Sequence, residues 1–489
     1  MGGQLGGHAL ERQCVTLPRM AGQNMASHDP EHPGRWRRTT CNRITGRATR
    51  HFMDAPAAVP WQDEAYVRSQ PCPDEGASIF GFARRTTPPG PASIAEFLAR
   101  PGEDRCHPFG HETMKACRNC LLPEAAPGAD LDASGLCRPC REHQPADRLR
   151  AETLRQAREA DLDGAIAAAR GTGAYDCLVP LSGGKDSVYL IHKLKNELGL
   201  RVLAHTTDID IGEVAWANIR RAVDKLDVEH VVYRPSQDFY RRLFRWLLMN
   251  QEARGAVHTI SYIYAPLFEG NALKLATDLG IPLVLAGYSP GQPVPERMEY
   301  EFPRLAISEV DWTPPELQAS GEFGPEDLAR FWNPHRYPSG TRFPRYLAPY
   351  HAWKYDQDEV MKQVVRLGLI ASTKHASPVF SNYPINWLLM YSDLKNFGYN
   401  PYAPEFSALI REGKADRRYW KLMGKVVDHI TVKRIYLGRH VTRHMAWLGL
   451  RDEDLRITRP SRRDWPDHVY DDWARHAPGA ALASGPAGA

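Results

Sequence analysis

Nowhere does this 489-residue chain carry an apolar run near the roughly 18 residues that a membrane-spanning helix needs. Its start, "MGGQLGGHALERQ", lacks the charged-then-apolar order of a secretory signal and the Ser or Thr at position six of a myristoylation signal. A cytoplasmic location with no membrane contact is therefore expected. Charge of one sign is also scarce: a formal net charge of +4 is too small to point to nucleic acid by itself. Two catalytic signatures are missing. There is no G-x-x-x-x-G-K-[ST] phosphate loop, which excludes the best-known nucleotide motif. There is no G-x-C-x-G elbow, and position two is Gly, so the chain shows no nucleophile for hydrolysing glutamine. No internal repeat is present, and the length suggests about two to four domains.

Residues 1–113 are poor in apolar periodicity and rich in Arg, Pro, Gly and His. Such composition buries too little apolar surface to offset chain entropy, so a low-complexity, disordered extension is expected there. Its basic run "GRWRRTTCNRITGRATRHF" reads as a solvated extension in preference to a nucleic-acid arm, and "ASIAEFLAR" as one short amphipathic helix. Recognisable chemistry begins just after Met114, which makes a translation start there a further reading. The tail, 476–489, is low-complexity and expected to be disordered.

Nine cysteines are present, and four are tightly paired: Cys117, Cys120, Cys137 and Cys140 form C-x2-C-x16-C-x2-C. Two such turns complete a tetrahedral four-sulfur site suited to structural Zn2+. The module expected over 114–145 is zinc-ribbon-like. Cys14, Cys41, Cys72, Cys106 and Cys177 show no pairing, and Cys177 reads as a small core residue. A helical linker, one helix or a pair, follows over 146–174.

From Tyr175 the pattern alternates. "YDCLVPL", "RVLAHTT", "EHVVYR" and "IPLVLAGY" read as short apolar strands, and the stretches between them as amphipathic helices. The fold class that follows is α/β, a parallel sheet with helices on both faces over 175–290. An aromatic-rich, mainly helical substrate region is expected over 291–475.

"LVPLSGGKDSVYL" places a glycine-rich turn between the first strand and its helix. Ser182, Gly183 and Gly184 can turn consecutive N–H groups toward an anion, and the helix start adds its positive end. Lys185 can neutralise phosphate and Ser187 can donate a hydroxyl. Asp186 would repel phosphate unless a cation stood between them, so it reads as a Mg2+ ligand or a helix cap beside a pyrophosphate.

Ser182 to Ser187 match without a gap the SGGxDS signature of the PP-loop, or N-type, ATP pyrophosphatase superfamily, which this sequence resembles. The resemblance implies an adenine nucleotide alpha hydrolase-like fold, and ATP cleaved between its α and β phosphates to adenylate a carbonyl oxygen. It further implies adenine contacts in "HTTDID", with Thr206 and Asp208 as candidates, and a site glycine at Gly287. Lys185 and Asp186 are the expected catalytic pair. "MKACRNCLLPEAAPGADLDASGLCRPCREH" looks like the N-terminus of bacterial N-acetyl sugar amidotransferases, and the resemblance spans roughly 115–422. It implies an acetamido sugar-like substrate, and ammonia from a separate glutaminase similar to the glutaminase and cyclase subunits of histidine biosynthesis. There is one departure: where the family usually reads G-E-N after the fourth strand, this chain reads Gly287-Tyr288-Ser289.

The competing chemistry is sulfur transfer to tRNA. Its usual catalytic cysteine after the third strand is absent from "NQEARGAVHTISYIYAPLF". A non-catalytic nucleotide-binding regulator is disfavoured by the intact loop. His258, His351 and His375 are candidate acceptor-pocket residues whose blander reading is structural or surface histidine. Arg411 in "LIREG" reads as a substrate contact or a surface ion pair. The aromatics from Phe323 to Tyr355 read as a sugar-stacking wall or as interdomain packing.

Overall fold

Asp176 shows why the central sheet starts where it does. One carboxylate oxygen accepts from Gly171 N at 2.8 Å and Arg201 Nη2 at 2.5 Å, and the other from Arg201 N at 2.8 Å. The carboxylate thereby fastens the entry of one strand to the entry of its neighbour. Burial would push this acid up, but Arg201 and the backbone N–H groups of Arg201 and Gly171 hold it down to about 2. A depressed acid stabilises the fold above its unfolded value near 4, and that contribution is lost as pH falls toward 2. Asp176→Asn should therefore weaken the fold at pH 7 and flatten the pH dependence of stability between about pH 4 and 2, as read by thermal melts across that range.

The structure is a computed structural model describing residues 25–28, 35–41, 48–54, 109, 114–143, 145–263, 265–290, 298–377, 381 and 383–476. The chain divides into two units, residues 1–85 and 86–489. The first contains an antiparallel three-stranded meander of β1 (Met25–His28), β2 (Arg35–Cys41) and β3 (Ala48–Asp54). The register runs from Arg35 opposite Asp54 to Cys41 opposite Ala48. These strands depart from the expected disorder of 1–113. Thr, Trp and Phe in "RWRRTTC" and "ATRHFMD" carry β preference that the Arg-rich composition obscured. "ASIAEFLAR" and the tail beyond 476 lie outside the described residues.

In the second unit, α1 (Pro145–Ala169) is one long helix, not a pair. The sheet that follows comprises β4 (Cys177–Pro180), β5 (Val202–Thr207), β6 (Glu229–Tyr233), β8 (Leu283–Leu285) and β9 (Arg345–Leu347). Their order is β6-β5-β4-β8-β9, and every neighbouring pair is parallel. A separate two-stranded parallel ribbon joins β7 (Gln251–Glu252) to β10 (Ile457–Arg459).

Alternation along the strands splits the core into two layers. Cys177, Val179, Val202, Ala204, Leu283 and Leu285 face one side and pack with Val188 and Ile191 of α2 (Lys185–His192) and Ala215 and Ile219 of α3 (Glu213–Leu226). Leu178, Leu203 and Val284 face the other and pack with Leu273 and Ala276 of α6 (Ala265–Asp278). Helices thus cover both faces, as the apolar strand runs require. β6 is the exception: Val231 and Val232 are exposed because β6 is an edge strand.

A third cluster belongs to the helices. Phe239, Leu243, Phe244 and Leu247 of α4 (Gln237–Met249) meet Ala256 and Ile260 of α5 (Ala256–Ile263), Leu388 of α8 (Asn386–Phe397), and Val441 and Leu448 of α11 (Arg439–Leu448). Between them in sequence lie α7 (Gln357–Arg366), α9 (Ala403–Arg411) and α10 (Arg417–Val432). The boundary expected at 290 does not separate two bodies, because β9 lies beyond it and completes the sheet. Among the described residues, no helix is long and apolar enough to cross a membrane.

Candidate active site and metal centre

From β4 the chain runs outward through β5 to β6, then returns to the other side of β4 to form β8 and β9, so a crevice opens where the strand order reverses, at the carboxyl ends of β4 and β8. The glycine-rich turn lies there. Gly183 has φ +78, and a Cβ on it would stand 2.3 Å from the backbone oxygen of Ala215 in α3. Gly287, just past β8, presses on the start of α2 so closely that a Cβ would lie 2.8 Å from Ser187 N and Cα. Only glycine serves at either position.

Asn218 holds the turn from behind. Its amide donates to Gly183 O at 2.9 Å and to His375 O at 3.0 Å, and the residue is buried. Asn218→Ala should leave the Gly183 carbonyl unpaired and lower stability by about 1–3 kcal/mol, seen as a shift in the denaturation midpoint. Within the turn, Ser182 and Ser187 hydroxyls lie 3.2 Å apart.

Lys185 and Asp186 form a buried pair, with Nζ 2.6 Å from Oδ2. Tyr355 donates its hydroxyl to the other carboxylate oxygen at 2.7 Å and accepts from Lys185 Nζ at 3.3 Å. Tyr350 donates to the Asp186 backbone oxygen at 2.8 Å. Burial, with Asp186 beside it, raises the Tyr355 hydroxyl far above the ordinary phenol range, so it stays a donor. Glu405 of α9 senses the charges of this pair. Burial pushes it up to about 7, Lys185 pulls against that shift, and Asp186 adds to it.

Lys185 and Asp186 border a cavity of about 280 Å³ that Ser182, Gly184, Ser187 and Gly287 also line. Its opposite walls are Phe268, Tyr288, Tyr383, His205 and Thr207. Asp186 is the one carboxylate among the described lining residues. It suits a hard cation that takes oxygen ligands, provided Lys185 turns from it to the phosphate. Burial lowers His205 to about 4, so the wall it supplies is uncharged at neutral pH.

The expected adenine contacts take other roles. Thr206 donates its hydroxyl to Leu181 O at 2.6 Å and lies 2.8 Å from His230 Nε2. Asp208 pairs with Arg234 at 3.4 Å. Neither lines the cavity; their strand neighbours His205 and Thr207 do, because successive side chains alternate. His258, His351 and His375 are likewise outside the lining. His258 sits 3.6 Å from Glu252, and His351, lowered to about 4 by burial, is buried. The aromatics from Phe323 to Tyr355 are packing, with Phe331, Trp332 and Tyr346 fully buried. Only the hydroxyls of Tyr350 and Tyr355 reach the site. Within the departure Gly287-Tyr288-Ser289, Tyr288 donates its hydroxyl to the buried Glu269 of α6 at 2.8 Å.

Cys117, Cys120, Cys137 and Cys140 converge, with all four sulfur atoms within 4.8 Å of one another. Cys117 and Cys140 are 3.7 Å apart, and Cys120 and Cys137 3.5 Å. A single tetrahedral zinc with bonds near 2.3 Å sets its sulfurs about 3.8 Å apart, so the spacing fits one ion. A four-iron core between the thiolates would hold them wider. Burial opposes ionisation of Cys117, but backbone N–H groups of Cys120, Cys137 and Asn119 bring its thiol down to about 6. Cys177 is fully buried in β4, and burial raises its thiol.

No protein-family profile matches the chain, and no curated relative does. Among solved structures, it is similar to the U34-tRNA thiolase NcsA from Methanococcus maripaludis with its [4Fe-4S] cluster, at 12% identity and a TM-score of 0.27, over 67% of this chain and 88% of that one. It is similar to the NH3-dependent NAD synthetase from Campylobacter jejuni, at 14% identity and a TM-score of 0.26, over 62% and 96%. A third likeness is to NMN synthetase from Francisella tularensis, at 10% identity and a TM-score of 0.25, over 65% and 98%. Likenesses of this extent assign no activity to the chain.

Proposed function

We propose that the protein is an ATP-dependent amidotransferase of the PP-loop pyrophosphatase type. It adenylates the carbonyl oxygen of an amide or acetamido group on a sugar-type substrate, and ammonia from a partner glutaminase displaces AMP to leave an amidine. The observation that carries this reading is the buried Lys185–Asp186 pair on a glycine turn at the switch point, facing a cavity walled by Phe268, Tyr288 and Tyr383. The turn's N–H groups and Lys185 would hold the phosphates, and Asp186 would hold Mg2+, which when bound neutralises the departing pyrophosphate. Activation is chemically required, because an amide oxygen is a very poor leaving group and AMP is not. The cysteine module would hold structural zinc and take no part in the chemistry.

Sulfur transfer has less support. Among the described residues no cysteine lines the cavity, and Cys177 is sealed in the core. Product analysis with ATP, Mg2+, ammonium and acetamido nucleotide sugars tests the reading. AMP and pyrophosphate should form in step with the amidine, whereas ADP and phosphate, or no acceptor-dependent turnover, would refute it.

A further inference from the structure

The cysteine module is attached to the body of the protein at a particular place. Arg411, the last residue of α9, donates from Nη1 to Cys120 Sγ at 3.4 Å. Arg417, the first residue of α10, donates from Nε to Asn119 O at 3.0 Å, and Asn119 donates to Cys140 Sγ at 3.4 Å. Ile410 and Tyr399, flanking the same region, pack against the buried cysteines. Arg411 is therefore neither a surface ion pair nor a contact with the cavity; it addresses a metal-ligand sulfur.

Toward the other end of α9 lies Glu405, which senses the charges of the phosphate turn. Glu405 lies six residues before Arg411, about 9 Å along a helix rising 1.5 Å per residue. Its carboxylate is within electrostatic reach of Lys185, Asp186 and Tyr355. A nine-residue helix is stiff over that distance, so fixing one end fixes the other.

We infer that the metal in the four-cysteine module acts as a latch for α9, with Arg411 as the positioning residue that ties the helix to Cys120. This inference rests on the reading of the module as a metal site. Four thiolates around one divalent ion leave a net charge of −2, and a guanidinium donating to one of them offsets part of it. Without the ion nothing holds the two C-x-x-C turns together, Cys120 and Asn119 are no longer fixed against Arg411 and Arg417, and α9 loses its anchor.

The test uses the full chain loaded with zinc. Metal analysis comes first: about one zinc per chain is expected, and a chain that binds none sinks the metal reading itself. Hydrogen exchange is then followed at residues 403–411 before and after chelation. The latch predicts at least about tenfold faster exchange there once the metal is gone; unchanged exchange overturns it. Arg411→Met should keep its zinc but release it to a competing chelator with about tenfold weaker affinity. Zinc-loaded Arg411→Met should also exchange at 403–411 as fast as the metal-free wild type. Wild-type affinity or wild-type protection in this variant contradicts the inference. If the variant does not fold, the chelation experiment on the unaltered chain decides.

Discussion

Asp186→Asn should abolish AMP formation while leaving zinc content intact. Asparagine is isosteric, and its carbonyl can still accept the Tyr355 hydroxyl that now reaches Asp186 at 2.7 Å. Only the charge goes, and with it the cation site and the partner that holds Lys185 in the buried pair. Removing one such electrostatic element costs about 10²–10³-fold in turnover, and the loss here should reach or exceed that range. Lys185→Met removes the matching cation and should lower turnover as severely. Each substitution leaves the other member of the pair buried without its counter-charge, so both should also lower stability, by about 3–5 kcal/mol. Retained zinc and a cooperative melt in both variants would separate lost chemistry from lost folding. Acceptor-dependent AMP release at wild-type rate in Asp186→Asn would contradict the assigned role.

Gly183→Ala should be among the more damaging single methyls in the described residues. A non-glycine residue at φ +78 costs about 1–2 kcal/mol for the backbone alone. The added Cβ would also overlap the Ala215 carbonyl at 2.3 Å, and that carbonyl belongs to a helix packed in the core. The turn must then open away from α3 and break the Asn218 hydrogen bond to Gly183 O. A loss of about 2–4 kcal/mol is expected, together with loss of nucleotide binding by calorimetry. Gly184→Ala is the control. Gly184 has φ −75, and its nearest contact for a Cβ is Ser182 Oγ at 3.5 Å, so stability should change little. Equal damage from both substitutions would mean that the turn is not held by α3.

Elements with a strong local signal were legible in the sequence. The four apolar runs after Tyr175 become β4, β5, β6 and β8, and the SGGKDS turn sits between strand and helix. The cysteine spacing brought four sulfurs together because each C-x-x-C closes locally. The fifth strand, Arg345–Leu347, was not legible: three residues between prolines give no alternation to read. The groups that complete the site were hidden for another reason. Tyr350 and Tyr355 reach Asp186 from positions 164 and 169 residues away, across the fold. Asn218 carried a usable signal, since it is a polar residue between Ala215, Ile219 and Ala222 on the buried face of α3. Thr206 and Asp208 were assigned from a motif without strand phase, and phase places His205 and Thr207 on the cavity instead.

The fate of one oxygen atom tests the central claim most directly. An acetamido substrate labelled with 18O in the carbonyl is turned over with ATP, Mg2+ and ammonium, and the AMP is examined by mass spectrometry. Adenylation of the carbonyl predicts one 18O in the phosphate of each AMP formed, with amidine in equal amount. Unlabelled AMP, or label retained in the acceptor product, would contradict it.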